Sequence, residues 1–216
     1  MRRTSDDRRD PDVSVRSSVV RKPFDLVFLL GAVGVISVAC ARVAAQQPPA
    51  IEYRVLATSK TSTMERELNE ATEAGYRFQA VMGGETSFGG NEVVVVMSRT
   101  AGEKPRFAYK LVATSRTSTM QKELQAAADA GFHYRGQTVF ETALGGNEVV
   151  VILERDKDVE ERVYQYRLLA TSKTGTLQKE LAESGAAGFE IVGMTVGKTA
   201  LGGSELVAIT RRLKTP

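Results

Sequence analysis

Three short loops in this 216-residue chain carry the residue types that bind anions. "ATSKTSTM" starts at Ala57, "ATSRTSTM" at Ala113 and "ATSKTGTL" at Ala170. Each sets one cation (Lys60, Arg116, Lys173) among hydroxyl donors: Ser59 and Thr61, Ser115 and Thr117, Ser172 and Thr174. Each also leads into a segment with helical spacing, and free N–H groups and the dipole at a helix N-terminus favour an anion. Ser and Thr have a second use there, because their hydroxyls cap helices and hold turns without any ligand. Capping leaves the repeated cation unexplained. A small anionic ligand and a purely structural loop both remain open on the sequence.

Other chemistry is sparse. His133 is the single histidine, and its counterparts elsewhere in the chain are Arg77 and Glu190, which points to a solvent-facing position. General-base catalysis needs a positioned partner for it, and the sequence offers none. Glu92, Glu148 and Glu205 recur after paired glycines and would have to converge to hold a divalent cation. Exposed positions at the start of a strand are the plainer reading. The glycine pairs lack the Lys-Ser/Thr of a phosphate loop, and no hydrolase, metalloprotease or dinucleotide signature occurs. Cys40 is the only cysteine, so no disulfide framework or zinc cluster can form. The expectation is a non-enzymatic chain with no cofactor and no metal.

Charge narrows the partners. The net charge of +3 comes from residues 1–45, which carry eight basic and five acidic side chains of the 29 and 26 in the chain. Downstream the balance is zero, with the signs interspersed, and nothing resembles the basic footprint of a nucleic-acid binder. The expected partner is a protein or a small anion.

The elements that must position these loops come in threes. With Tyr53, Tyr109 and Tyr166 in register, 23 of the 47 positions of Tyr53–Arg99 and Tyr109–Arg155 are identical, which marks internal duplication. The units run 51–99, 107–155 and 164–212, joined by short charged linkers. Each opens with an alternating strand such as "YRVLA", followed by the loop and a helix of about a dozen residues. Ser62 with Glu65, and Ser118 with Gln121, have capping-box spacing; Gly175 takes the cap place in the third copy. Gly75, Gly131 and Gly188 stand where a helix wants a left-handed residue to end it.

A second strand, a glycine turn and an apolar third strand ("VVVVM", "VVVIL", "LVAIT") complete the unit. The continuous apolar run predicts burial on both faces and therefore a central place in the sheet. Strand order 1-3-2 follows, with a right-handed helical crossover between the outer strands. The fold class is α+β: three tandem β-α-β-β repeats, each a three-stranded sheet with one helix. One such unit is too small to stand comfortably alone, so the three are expected to pack together with approximate threefold pseudo-symmetry.

The pattern Y-x-x-(L/V), then E-L-x-x-A-x-x-A-G-(F/Y), then a last strand ending in Arg resembles a family of small bacterial domains of unknown function. In that family a Tyr-rich first strand leads to a helix ending G-W-E-L-V, and the last strand closes in K-R. "AAGFEIVG" (Ala186–Gly193) matches best, with Phe189 where the family often has Trp. The resemblance covers all three units. It implies a fold and no activity, and the hydroxyl-rich loop lies outside its pattern.

Residues 1–23 form a basic segment, and 24–45 contain "LVFLLGAVGVISVACA", sixteen uncharged residues from Leu26 to Ala41. That is short for a membrane-spanning helix, which needs ~20 residues. A basic start, a short apolar run and small residues at the exit describe a secretory signal. Cleavage, retention as an anchor and lipidation at Cys40 are the three outcomes. All three place the repeats outside the cytoplasm, in contact with a membrane only through the N-terminal segment.

Overall fold

Valine, isoleucine and tyrosine at alternate positions favour extended chain, and the helical segments place Met or Leu, then Leu, then Ala or Ser on one face. The computed structural model describes residues 49–86, 90–141, 147–159, 162–198 and 203–214. The first unit contains β1 (Ile51–Thr58), α1 (Thr61–Glu73), β2 (Arg77–Thr86) and β3 (Gly90–Thr100). The second contains β4 (Phe107–Thr114), α2 (Thr117–Asp129), β5 (His133–Glu141) and β6 (Asn147–Asp156). The third contains β7 (Tyr164–Thr171), α3 (Thr174–Ala186), β8 (Glu190–Lys198) and β9 (Ser204–Leu213). Each unit is a three-stranded sheet in the order first, third, second, with both outer strands antiparallel to the middle one. The outer strands are thus parallel to each other, as the sequence requires of a helical crossover.

The helices start and stop by different means. Gly75, Gly131 and Gly188 adopt φ of 82°, 81° and 79°. The amide after each (Tyr76, Phe132, Phe189) bonds back to the carbonyl of Ala71, Ala127 or Ser184, closing a Schellman motif. The Arg that ends each unit completes this terminus. Arg99, Arg155 and Arg212 donate to the carbonyls of Ala74, Ala130 and Ala187 and lie over the rings of Tyr76, Phe132 and Phe189 at 4.7, 4.9 and 4.6 Å. A cation there meets both the negative end of the helix and a ring face.

At the other end the capping boxes do not form. The cap residues are Lys60, Arg116 and Lys173, with extended backbone and no side-chain cap bond. Ser62 and Ser118 lie inside the helices, and Glu65 and Gln121 are used elsewhere. The turns are held one step earlier, where Thr58, Thr114 and Thr171 Oγ1 accept from the amides of Lys60, Arg116 and Lys173 at 3.1, 3.1 and 3.3 Å.

The units stack in a row. α1 lies between its own sheet and the back of the second sheet, along β4; α2 lies likewise between the second sheet and β7. Beside each helix the sheets touch directly, β2 on β5 and β5 on β8. Met64, Leu68, Val93, Val95 and Met97 share one core with Tyr109, Val150 and Ile152 of the second unit. Met120, Leu124, Val149, Val151 and Leu153 share the next with Tyr166 and Ile209 of the third. Among the described residues the third helix covers only its own sheet, with Leu169, Leu177 and Ala208.

The three units do pack together, but closure into a threefold ring does not occur among the described residues. The junction made between units one and two, and again between two and three, has no counterpart between three and one. The central strands record this. β6 is buried on both faces from Val149 to Glu154, whereas β3 alternates, with Val94 and Val96 half-exposed. Among the described residues no helix precedes the first sheet to cover its back, and its apolar run is buried on one side only.

Candidate functional site

The chemistry of this fold sits in its two junctions. A sheet edge presents an N–H and a C=O at every second residue, about 6.8 Å apart. Side chains four apart on a helix are spaced about 6 Å along its axis. The near-match lets a helix act as a strand. Asn69 of α1 donates to the Tyr109 carbonyl and accepts from its amide, both at 2.9 Å, and Glu65 accepts from the Leu111 amide at 2.8 Å. In the next junction Gln125 bonds the Tyr164 carbonyl and Tyr166 amide, and Gln121 bonds the Tyr166 carbonyl and Leu168 amide. Two edge strands, β4 and β7, are satisfied this way.

The tyrosines that set the register of the repeats supply the second contact. Each second strand has a bulge at its start, between Phe78 and Ala80, Tyr134 and Gly136, and Ile191 and Gly193. The hydroxyl of Tyr109 accepts from the Phe78 amide at 2.8 Å, and that of Tyr166 from the Tyr134 amide at 2.8 Å. Tyr109 also donates to Glu154 at 2.6 Å. Glu154 is buried, accepts from Arg77 at 2.8 Å and has Arg135 3.6 Å away. Burial, with the Glu154 charge beside it, pushes the Tyr109 phenol far up from its ordinary value. Burial likewise raises Tyr134, to about 12, and Tyr166.

The third contact is one of size. A Cβ at Gly136 would stand 3.0 Å from Phe78 Cζ, and one at Gly193 would collide with the Tyr134 hydroxyl. The aromatic ring of one unit fills the space that a glycine leaves in the next.

His133 belongs to the second junction and is half-buried, not solvent-facing. Its ring meets Tyr164 edge-on at 5.1 Å, and burial, then the nearby Arg211, lower its pKa while Glu154 opposes them. Glu92, Glu148 and Glu205 do not gather: among the described residues no group of three or more metal-ligating side chains occurs.

The hydroxyl-rich loops lie apart from this chemistry, at the surface. Ser59, Lys60, Ser115, Arg116, Ser172, Lys173 and Thr174 are exposed; Thr61 and Thr117 are half-buried. A groove of about 440 Å³ takes Thr61 and Ser62 with Lys110, Glu65 and Glu123. A matching groove of about 350 Å³ takes Thr117 and Ser118 with Gln121 and Glu180. Arg116 lines a space of about 10 Å³ shared with Glu205. Each cavity draws on one loop, and each contains a carboxylate that an anion would have to face. No protein-family model, no curated protein and no solved structure matches the chain.

The junction residues carry no familiar motif, which is why a reading of the sequence for catalytic or ligand signatures passes over them. Their signal was a repeated Tyr and an aromatic in one unit answered by a Gly in the next. Residues 1–48, where the apolar stretch and Cys40 fall, lie outside the described residues, as do 87–89, 142–146 and 199–202 around the glycine turns. Among the described residues no helix is long and apolar enough to cross a membrane.

Proposed function

We propose that the chain is an exported, non-enzymatic repeat scaffold that docks protein at its ends. The observation that carries this is the contrast between its tyrosines: Tyr109 and Tyr166 are 3% and 2% exposed, Tyr53 is 66% exposed. The same structural device is used twice and left open once. Around Tyr53 the open edge of β1 presents Val55, and the sheet behind it presents Val94, Val96 and Met82. Open edges with apolar faces are addresses for added strands and helices. A photo-crosslinking residue at position 53, compared with one at Glu70 on the outer side of α1, tests the reading in the producing cell. Protein adducts specific to position 53 support it; a silent position 53 counts against it.

A second reading rests on the three helix N-termini, which lack side-chain caps and present Lys60, Arg116 and Lys173 as cap residues. Here the chain would be an anion or polyanion receptor. Thermal unfolding against phosphates, sulfated sugars and nucleotides addresses it. A ligand at ~100 times its dissociation constant adds ~2.7 kcal/mol. A rise in midpoint that the Lys60→Ala, Arg116→Ala, Lys173→Ala variant abolishes would favour this reading.

A further inference from the structure

We infer that the partner for these ends is a second copy of the chain, joined head to tail. The inference rests on the scaffold reading and names its partner. The head is the edge of β1 with the back of the first sheet; the tail is the outer side of α3 with β8. Docking them repeats the junction that the molecule already makes twice, so the surface continues an interface seen inside the chain.

The match holds residue by residue. Gln178 stands on α3 where Glu65 and Gln121 stand on α1 and α2, within the pattern that bonds the Tyr53 carbonyl and the Val55 amide. Ile191 holds the bulge position of Phe78 and Tyr134, whose amides are received by a tyrosine hydroxyl from the following unit. The free Tyr53 hydroxyl is that acceptor. Sizes are exchanged in step. The aromatic residues Phe78 and Tyr134 require glycine opposite, at Gly136 and Gly193. The tail offers the ring-free Ile191, and the head offers Ala80, the one member of the glycine series with a Cβ.

Burial points the same way. At the tail, Ile191, Met194 and Val196 are 52%, 59% and 54% exposed on the face that β2 and β5 use to meet the next sheet. At the head, Val55 and Met82 are 64% and 61% exposed on the face that receives it. The position held by Glu154 and Arg211 in the inner junctions is Ser98 at the head, a hydroxyl donor opposite the Glu190 carboxylate. One element is missing: Ala182 replaces Asn69 and Gln125, so α3 supplies one polar side chain for the strand edge instead of two. The outer contact is thereby weaker than the inner ones and dissociates with dilution. A head-to-tail contact closes into a ring or runs on as a filament.

The test uses the full chain as its host produces it, by sedimentation velocity from low to high micromolar concentration. Wild type should associate. Val55→Glu blocks the head and Met194→Glu the tail; both side chains are exposed, and unchanged circular dichroism confirms folding. Each variant alone should stay monomeric, and their mixture should give a one-to-one dimer and nothing larger. Ala182→Gln should lower the dissociation constant at least about fivefold by restoring the two hydrogen bonds that Gln125 makes at the equivalent place. A wild-type chain that stays monomeric throughout overturns the inference, as does a Met194→Glu variant that still associates through its head. Protection of Tyr53 that does not depend on concentration would assign the head to the chain's own residues 1–48, and also overturns it. Foreign-protein adducts at position 53 with a monomeric wild type would leave the scaffold reading standing and this one not.

Discussion

Tyr109 and Tyr53 occupy the same place in two copies of one unit, yet their hydroxyls have opposite roles. Tyr109 Oη joins the Phe78 amide to the buried Glu154 carboxylate. Removing it leaves two buried groups short of a partner, which costs about 1–3 kcal/mol. Tyr109→Phe should lower stability by that amount in chemical denaturation, whereas Tyr53→Phe should change a dilute sample by less than about 0.5 kcal/mol. The same burial sets an alkaline limit. The folded state holds Tyr134 protonated up to about 12 and raises Tyr109 and Tyr166 as well. A pKa raised on folding contributes stability that is full below the unfolded value, about 10, and is lost as pH climbs through the folded one. Stability should therefore fall from about pH 10 toward 12, and phenolate absorbance should appear together with unfolding.

At the scale of elements, the junction is a helix used as a strand and a ring set into a glycine. The second half of that statement can be separated from mere β-propensity. Gly136→Ala should cost about 1–3 kcal/mol by overpacking against Phe78. Combined with Phe78→Leu, the loss should be smaller than the sum of the single losses by at least about 0.5 kcal/mol. Simple additivity in that cycle would show that the ring and the missing Cβ do not sense each other. The helix ends follow a similar economy, since Gly75, Gly131 and Gly188 supply the left-handed turn and the closing arginines supply the charge.

Across the whole molecule, identical units acquire different environments from their place in the row. β6 shares one core with α1 and the first sheet and another with α2 and the third sheet, whereas among the described residues β1 has an open edge. Hydrogen exchange in dilute solution should reflect this. The amides of Tyr53 and Val55 should exchange about a hundredfold or more faster than those of Tyr109, Leu111, Tyr166 and Leu168, which bond to Asn69, Glu65, Gln125 and Gln121. Uniform exchange across the three first strands would mean that the edge of β1 is covered in solution. In concentrated solution, slowing confined to Val55 at the head and Ile191 at the tail would be the mark of head-to-tail contact.

The sequence determined what local forces determine. Alternation placed the strands, spacing placed the helices, and the glycines at 75, 131 and 188 fixed where each helix stops, because these depend on neighbours in the chain. The duplication and the apolar third strands carried the 1-3-2 order as well. What neighbours in space decide was not legible. Glu65 and Gln121 have the spacing of helix caps, yet bond to the strand of the next unit, because an edge strand offers them buried donors that a solvated helix end does not. Val94 and Val96 read like Val150 and Ile152, but only the second pair is enclosed. Whether an apolar face is a core or a docking surface depends on what is stacked against it, and only the tertiary structure shows that the row of described residues has two open ends.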